Sequence, residues 1–431
     1  MMSGRTRLEP LDVHDLIHDL VDEGTFVAET SISTGVAGTA TVDGRRVTVA
    51  DNDKFFPLAL AHGTPFVNLA SGRGAPLRGG PRNLGTLDPV SGFSAGPMFP
   101  ELLARRRRVP AVSAIVGNSF GDSTFFTGLA DFVVQREGTC VALAGPRVLA
   151  IGTGERIAME DLGGTAVQTA AGLVDVVAET AAEITGYVRR FLSFLSEDGA
   201  RAFEHEPDGV DGSDSASSPP FEGADDGRRV LADVCDRQSI LEVKVGFAPE
   251  GAIGFARIGG VAVGFAANVP VPEGKTFSDR ACIKITRHVA LCDSFGLPLL
   301  LILNTRGRER HAIHDGDEPR TARFLTLLKA VHLVAVPKYV VVPRELIGPA
   351  FLLLGGQRLA RDLTIAWPGA RAGFSDDGGG NGSVLELAQL LRNAIVAPAE
   401  TRRQLIAHLR QNSHARKQSV PSSLSSWPVG F

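Results

Sequence analysis

The sequence predicts an α/β protein made of two homologous halves, and three repeated blocks carry that prediction. Residues 63–74, GTPFVNLASGRG, are answered by residues 296–307, GLPLLLILNTRG; each opens on Gly-x-Pro, continues as a strand-like apolar run and ends in Arg-Gly. Upstream, GTATVDGRRVTVA at 38–50 matches GFARIGGVAVGFA at 254–266, both patterned as two short strands around a tight Gly-containing turn. Downstream, VPAVSAIVGNSFG at 109–121 matches VPKYVVVPRELIG at 336–348. Matched blocks in one order indicate an internal duplication, and a chain of 431 residues has core enough for two domains of about 200 residues each. The expected layout is an N-terminal half at 1–204, a linker rich in Glu, Asp, Ser, Pro and Gly at 205–228, a C-terminal half at 229–412 and a frayed tail at 413–431.

Each element follows from its local pattern. Residues 12–23 alternate acidic and apolar positions as a short helix does, and Gly24 leads into extended TFVAE. After the first hairpin, 53–62 leaves only about ten residues for a crossover helix before the strand at 65–70. The second crossover, 276–295, is about twice as long, with Ser278 placed to cap it and Cys282, Ile285, Val289 and Cys292 at helical spacing. The shortened first crossover opens or reshapes a cleft beside a strand end. The glycine-rich stretch 75–96 is longer than a default connection and reads as functional or disordered.

A helix is expected at 98–106, a strand at 111–116, and then GNSFG at 117–121 leads into a helix at 122–130. The first backbone N–H groups of that helix face the crevice beyond the strand end, an arrangement that stabilises an oxyanion. Strands at 131–134 and 139–143 precede Gly163 and Gly164, which serve either turn geometry or a close backbone approach, and a helix follows at 180–196. In the second half, strands are expected near 240–245, 252–258, 261–267, 298–304, 338–342 and 362–366, with helices at 321–334 and 350–356 and two more in 385–410 broken at Pro398. Asp131 and Asp362 occupy matching positions and read as fixing strand starts.

Composition narrows the chemistry. With a formal net charge of −4 and few aromatic residues, no nucleic-acid surface is expected; the run Arg105 to Arg108 reads as a solvated helix end or a local phosphate or partner patch. The four cysteines, Cys140, Cys235, Cys282 and Cys292, lack CxxC spacing and read as reduced, buried thiols of a cytoplasmic protein. No run approaches the roughly 18 apolar residues of a membrane span. His311 and His314, with Asp315 and Asp317 nearby, complete no established ligand spacing, so no metal is assigned and their loop reads as solvated or as folding over substrate.

The chain resembles the carboxyltransferase, or beta, subunits of acyl-CoA carboxylases. The resemblance rests on DFVVQREGTCVALAGP through EDLGG and AGLVD at 131–175, on DRQSILEVKVGFA and GFARIGGVAVGFAAN at 236–268, and on CDSFGLPL, LTIAWP and PAETRRQLIAHLR further on. It implies two ClpP/crotonase-like β-β-α superhelix domains and an active site shared across a homodimer or higher oligomer. It also implies a coenzyme A thioester bound mainly by the N-terminal half, no tightly bound cofactor, and carboxybiotin reaching the C-terminal half on a carrier subunit. A pair of backbone N–H groups in each half then stabilises the thioester enolate or the biotin ureido anion.

Carried over residue by residue, the family's SGGAR turn becomes Ser71, Gly72, Arg73, Gly74 and Ala75, and its next glycine turn becomes Asn118 to Ser123. On this alignment Phe120 and Gly121 supply the amide donors. Asp122 adds a carboxylate that either orients a nucleophile, exchanges a proton, or simply meets the helix dipole. The acyl-CoA side further includes Arg73, Gly74, Ala75, Arg78, Gly163 and Gly164, the arginines offering planar forks for a carboxylate or phosphate or serving as loop salt bridges. In the second half, YGGAY becomes Ile347, Gly348, Pro349, Ala350 and Phe351, and the PGF turn becomes Arg306, Gly307 and Arg308; Gln168 stands where the family commonly has histidine. Pro349 has no N–H, so only Ala350 remains as donor on that side, and loss of one donor costs about 100- to 1000-fold in rate. The resulting expectation is a biotin-independent acyl-thioester enzyme, a decarboxylase or acyl transferase acting on a coenzyme A or carrier-bound substrate. Biotin-dependent carboxyl transfer is the first alternative and a non-catalytic assembly subunit the second.

Overall fold

The computed structural model describes residues 9–32, 35–72, 109–121, 123–195, 226–269, 278–305, 320–354, 362–373, 384–386, 395–413 and 424. Each half carries a hairpin closed by a two-residue turn that contains glycine. Asp43 and Gly44 have φ of 49° and 76°, and Gly259 and Gly260 have 59° and 85°, the left-handed pair that matches the twist of a hairpin.

The chain divides into two units, Met1–Ser193 and Phe194–Phe431. In the first, the strands are β1 (Val27–Ile32), β2 (Gly35–Val42), β3 (Arg45–Ala50), β4 (Phe66–Ala70), β5 (Ala111–Ile115), β6 (Ser119–Phe120), β7 (Phe132–Arg136), β8 (Val141–Ala142) and β9 (Val176–Ala178). Seven of them form one sheet in the order β1-β2-β3-β4-β5-β7-β9, antiparallel through the hairpin and parallel thereafter, while β6 and β8 pair separately. The second unit repeats the plan with β10 (Leu241–Val243), β11 (Gly251–Ile258), β12 (Val261–Asn268), β13 (Leu299–Ile302), β14 (Lys338–Val342), β15 (Glu345–Ile347), β16 (Leu363–Ala366), β17 (Arg371–Gly373) and β18 (Val384–Glu386). Its main sheet runs β10-β11-β12-β13-β14-β16, again antiparallel first and parallel after β12, and β15-β17-β18 form the small sheet. This is the duplicated β-β-α plan that the repeats indicate.

The crossovers differ as expected. In the first unit a 3-10 turn, Asp53–Phe55, and a 7-residue helix, Phe56–His62, span the gap. Its Phe56 meets Phe66 and Phe126 in a trio of rings 5.4 to 5.6 Å apart, so aromatic bulk fills a layer that a longer helix would otherwise cover. In the second unit the crossover is a 16-residue helix, Asp279–Ser294, capped by the Ser278 hydroxyl, which accepts from Ala281 N–H and donates to Glu250. Asp131 and Asp362 do fix strand starts: Asp131 accepts from Ala111 N–H at 3.0 Å and Asp362 from Lys338 N–H at 3.0 Å.

Three expected helices change. Val384–Glu386 is a strand paired antiparallel with β17, because the small sheet supplies hydrogen-bond partners that the local pattern does not reveal. Pro398 opens the helix Pro398–Ser413 instead of breaking one; at the first helical position its missing N–H costs nothing. Residues 349–354 form a 3-10 helix where an α-helix at 350–356 was expected. The helix expected at 98–106 and the loop at 75–96 lie outside the described residues.

In the second unit, Trp367 is buried, and its indole N–H donates to the Thr401 hydroxyl at 2.9 Å, tying the strand end to the C-terminal helix. His288 is buried on the crossover helix against Phe255, and burial pushes its imidazole down to about 3, with Lys284 adding to the effect. The unfolded chain, with an ordinary value of 6.5, therefore takes up the proton first as pH falls. This group's contribution is complete above about pH 6.5 and is lost between there and about pH 3. Urea unfolding followed from pH 7.5 to pH 5 should show His288→Leu with a shallower loss of stability than the parent, by at most about 1.4 kcal/mol per pH unit.

Candidate functional site

The two halves share one local device at corresponding places. A buried parallel strand ends, the chain forms a two- or three-residue strand (β6 or β15), a glycine adopts positive φ, and a helix begins. Gly121 has φ of 80° and Gly348 has 86°, the region an L side chain avoids. The hydrogen bonds repeat as well. Phe120 N–H donates to Gly72 O at 3.0 Å as Ile347 N–H donates to Thr305 O at 2.9 Å. Gly121 N–H donates to Ala142 O at 3.3 Å as Gly348 N–H donates to Gly373 O at 2.8 Å, and Thr124 and Phe351 N–H close the turns onto Gly121 O and Gly348 O.

These bonds correct the donor assignment. The amides of Phe120 and Gly121 are committed to the turn itself, so neither is the open donor expected of it. The repeat moves the expected donor positions on by one or two residues, to Asp122 and Ser123 opposite Pro349 and Ala350. Ala350 fits that role: it is 4% exposed, and its N–H meets no acceptor among the described residues. Asp122, Arg73, Gly74, Ala75, Arg78, Arg306, Gly307 and Arg308 lie outside the described residues.

Gly163 packs directly against β8, and Gly164 packs against the turn of helix that precedes it. A Cβ on Gly163 would sit 2.0 Å from Val141 O, and one on Gly164 would sit 2.6 Å from Glu160 O, so only glycine permits this approach. Gln135 Nε2 holds Gly163 O at 3.2 Å and Thr139 O at 3.0 Å, while Gln168 Nε2 holds Val141 O at 2.7 Å. Asn118 Oδ1 accepts from Cys140 N–H at 2.9 Å. β8 is thus held through Asn118 and Gln168 with Gly163 packed against it, and its Ala142 O in turn fixes Gly121. Gln168 and Asn118 carried a sequence signal; Gln135, inside a strand, carried none.

Side-chain nucleophiles are poorly represented. All four cysteines are free and buried, and burial pushes Cys140 up to about 11 and Cys282 up to about 12, so neither is a thiolate at neutral pH. The described turns offer fixed backbone dipoles instead. His311 and His314 lie outside the described residues. No helix among the described residues is long and apolar enough to cross a membrane.

Comparison with known proteins places this geometry in context. A family model described as a carboxyl transferase domain matches residues 36–376. The propionyl-CoA carboxylase beta chain of Saccharopolyspora erythraea is 28% identical over 85% of this chain and 74% of its own length. A biotin-dependent acetyl-/propionyl-coenzyme A carboxylase beta5 subunit of Mycobacterium leprae is 28% identical over 83% of this chain and 70% of its own. Among solved structures, transcarboxylase 12S with hydrolysed methylmalonyl-coenzyme A superposes with a TM-score of 0.79 at 24% identity, covering 96% of this chain and 91% of the other, which establishes the fold. The relatives overturn the expectation of a biotin-independent decarboxylase or acyl transferase, since the chains matched over most of their length are carboxylase subunits, one of them named as biotin-dependent. Pro349 removes a single donor and leaves the glycine turn and Ala350 in place.

Proposed function

The chain belongs to the carboxyl transferase domain family, and on that premise we propose that it moves the carboxyl group of carboxybiotin, held on a carrier subunit, onto the α-carbon of a coenzyme A thioester. The observation that carries this reading is the duplicated glycine turn, because the reaction builds negative charge on two oxygens and the fold repeats one charge-stabilising device. In the step, the α-carbon loses its proton, the N–C bond of carboxybiotin breaks, a C–C bond forms and the ureido nitrogen takes the proton. The second-unit turn, through Ala350 N–H, faces the ureido oxygen. The first-unit turn at Gly121 serves the thioester oxygen.

The remaining sites follow the same division: Arg73, Gly74, Ala75 and Arg78 are assigned to the thioester side together with Gly163 and Gly164, and Arg306, Gly307 and Arg308 to the carboxybiotin side. The protein acts as a homodimer or higher oligomer; transcarboxylase 12S, whose fold it shares, forms a hexamer, which supports an oligomeric mode here.

The test is mass-spectrometric turnover of acetyl- and propionyl-CoA by the purified chain, with and without carboxybiotin. A carboxylated thioester formed only with carboxybiotin is the expected result. Loss of carbon dioxide from malonyl- or methylmalonyl-CoA without biotin, or no turnover of any thioester, would overturn it.

A further inference from the structure

The duplication lets one half serve as a control for the other, and at one spot they differ in chemistry at three matched positions together. In the second unit, Leu301 of β13 lies beside Ala266 of β12 and Val340 of β14. In the first, the same register places Asn68 of β4 beside Ala50 of β3 and Ser113 of β5. The helix after the glycine turn adds a third change, Thr127 standing where the repeat has Leu354. Asn68, Ser113 and Thr127 therefore replace Leu301, Val340 and Leu354. In the second unit Leu301 lines a small, mostly apolar cavity together with Ala266, Asn268, Leu303, Leu353 and Ile285, the last contributed by the long crossover helix that the first unit lacks.

The polar set is deeply buried. Asn68 is 1% exposed, and Ser113 and Thr127 are 0% exposed. Ser113 Oγ and Thr127 Oγ1 bond each other at 2.9 Å, and Thr127 Oγ1 also reaches Ser123 O at 3.2 Å, which leads from the sheet toward the start of the helix at the turn. Ser123 Oγ continues to Ser119 Oγ at 2.8 Å. Asn68 stands apart: among the described residues neither its Nδ2 nor its Oδ1 has a partner. A buried carboxamide with both donor and acceptor unmet is costly and calls for an occupant that both accepts and donates. Asn68 shares a face of β4 with Phe66 and Ala70, and the strand runs directly into Ser71 and Gly72, whose carbonyl holds Phe120 in the turn.

We propose that Asn68, Ser113 and Thr127 form a polar subsite that receives a hydroxyl group on the acyl chain of the thioester. This rests on the first unit holding the thioester, as proposed above, and it adds the substrate class: a hydroxyacyl chain in preference to a plain alkyl chain. A hydroxyl offers one donor and two lone pairs, which match the amide's unmet Oδ1 and Nδ2. The set contains no cation, so a neutral group suits it better than a carboxylate.

Isothermal titration of butyryl-CoA and 3-hydroxybutyryl-CoA against the full chain, Asn68→Leu and Ser113→Val tests this. The parent should bind the hydroxyacyl thioester about tenfold more tightly, the value of one well-made hydrogen bond. Asn68→Leu should abolish that preference without weakening butyryl-CoA. Leucine is what the repeat carries at this position, and Ser113→Val provides a second variant if the first fails to fold. No preference in the parent, or an unchanged ratio in the variants, overturns the subsite and leaves the amide to buried water. Failure of the carboxyl-transfer reading is distinct: it appears as no carboxybiotin-dependent product from either thioester, with the binding ratio still readable.

Discussion

Replacing Pro349 with glycine is expected to raise the carboxyl-transfer kcat by about 100-fold or more while leaving the KM for the thioester unchanged. The second-unit turn contains two residues after Gly348 that could present an N–H, and proline covalently removes the first. Only Ala350 is left to meet charge on the ureido oxygen, and one missing oxyanion donor is worth about 2.7–4 kcal/mol of transition-state stabilisation. Glycine restores the group in a backbone already turned by Gly348, whose N–H is held by Gly373 O. The variant should melt somewhat earlier, since proline restricts the unfolded chain by up to about 1 kcal/mol relative to a freer residue. Steady-state kinetics with carboxybiotin decides the matter. An unchanged kcat would mean that the single amide of Ala350 and its surroundings already suffice.

The two glycine turns should also separate by half-reaction. Gly121→Ala adds a methyl that meets nothing within 4 Å, so its whole effect comes from a φ of 80° that alanine resists by roughly 1–2 kcal/mol. Relaxing that strain shifts the start of the helix Ser123–Leu129, and a displacement near 1 Å at a catalytic dipole costs about 100-fold. The loss should fall on kcat/KM for the thioester. Gly348→Ala, at 86°, should leave thioester binding intact and lower only the carboxybiotin-dependent rate, by a similar factor. Equal losses in both measurements for both variants would show that the turns do not divide the reaction between them.

Much of this architecture could be read from the chain because it is written twice. The paired hairpin glycines, the Ser278 cap and the strand-fixing roles of Asp131 and Asp362 all depend on residues close in sequence or on a pattern seen in both halves. The donor assignment slipped for a physical reason. Whether Phe120 N–H is open depends on Gly72 O, 48 positions earlier, and whether Gly121 N–H is open depends on Ala142 O; neither pairing has a local signature. The strand Val384–Glu386 overlaps the helical pattern expected from 385 onward because three residues carry too little periodicity to reveal a partner strand. Asn68 was invisible for the opposite reason, as a single polar residue within a strand pattern whose repeat merely has leucine.

The indole of Trp367 has a practical consequence. Both tryptophans of the chain, Trp367 and Trp427, fall in the second unit, and Trp367 is enclosed and bonded to Thr401. Tryptophan emission is therefore blind to the first unit. Whereas circular dichroism sums the backbone of both halves, fluorescence reports the second alone, and the gap between the two signals during denaturation measures how cooperatively the duplicated halves come apart.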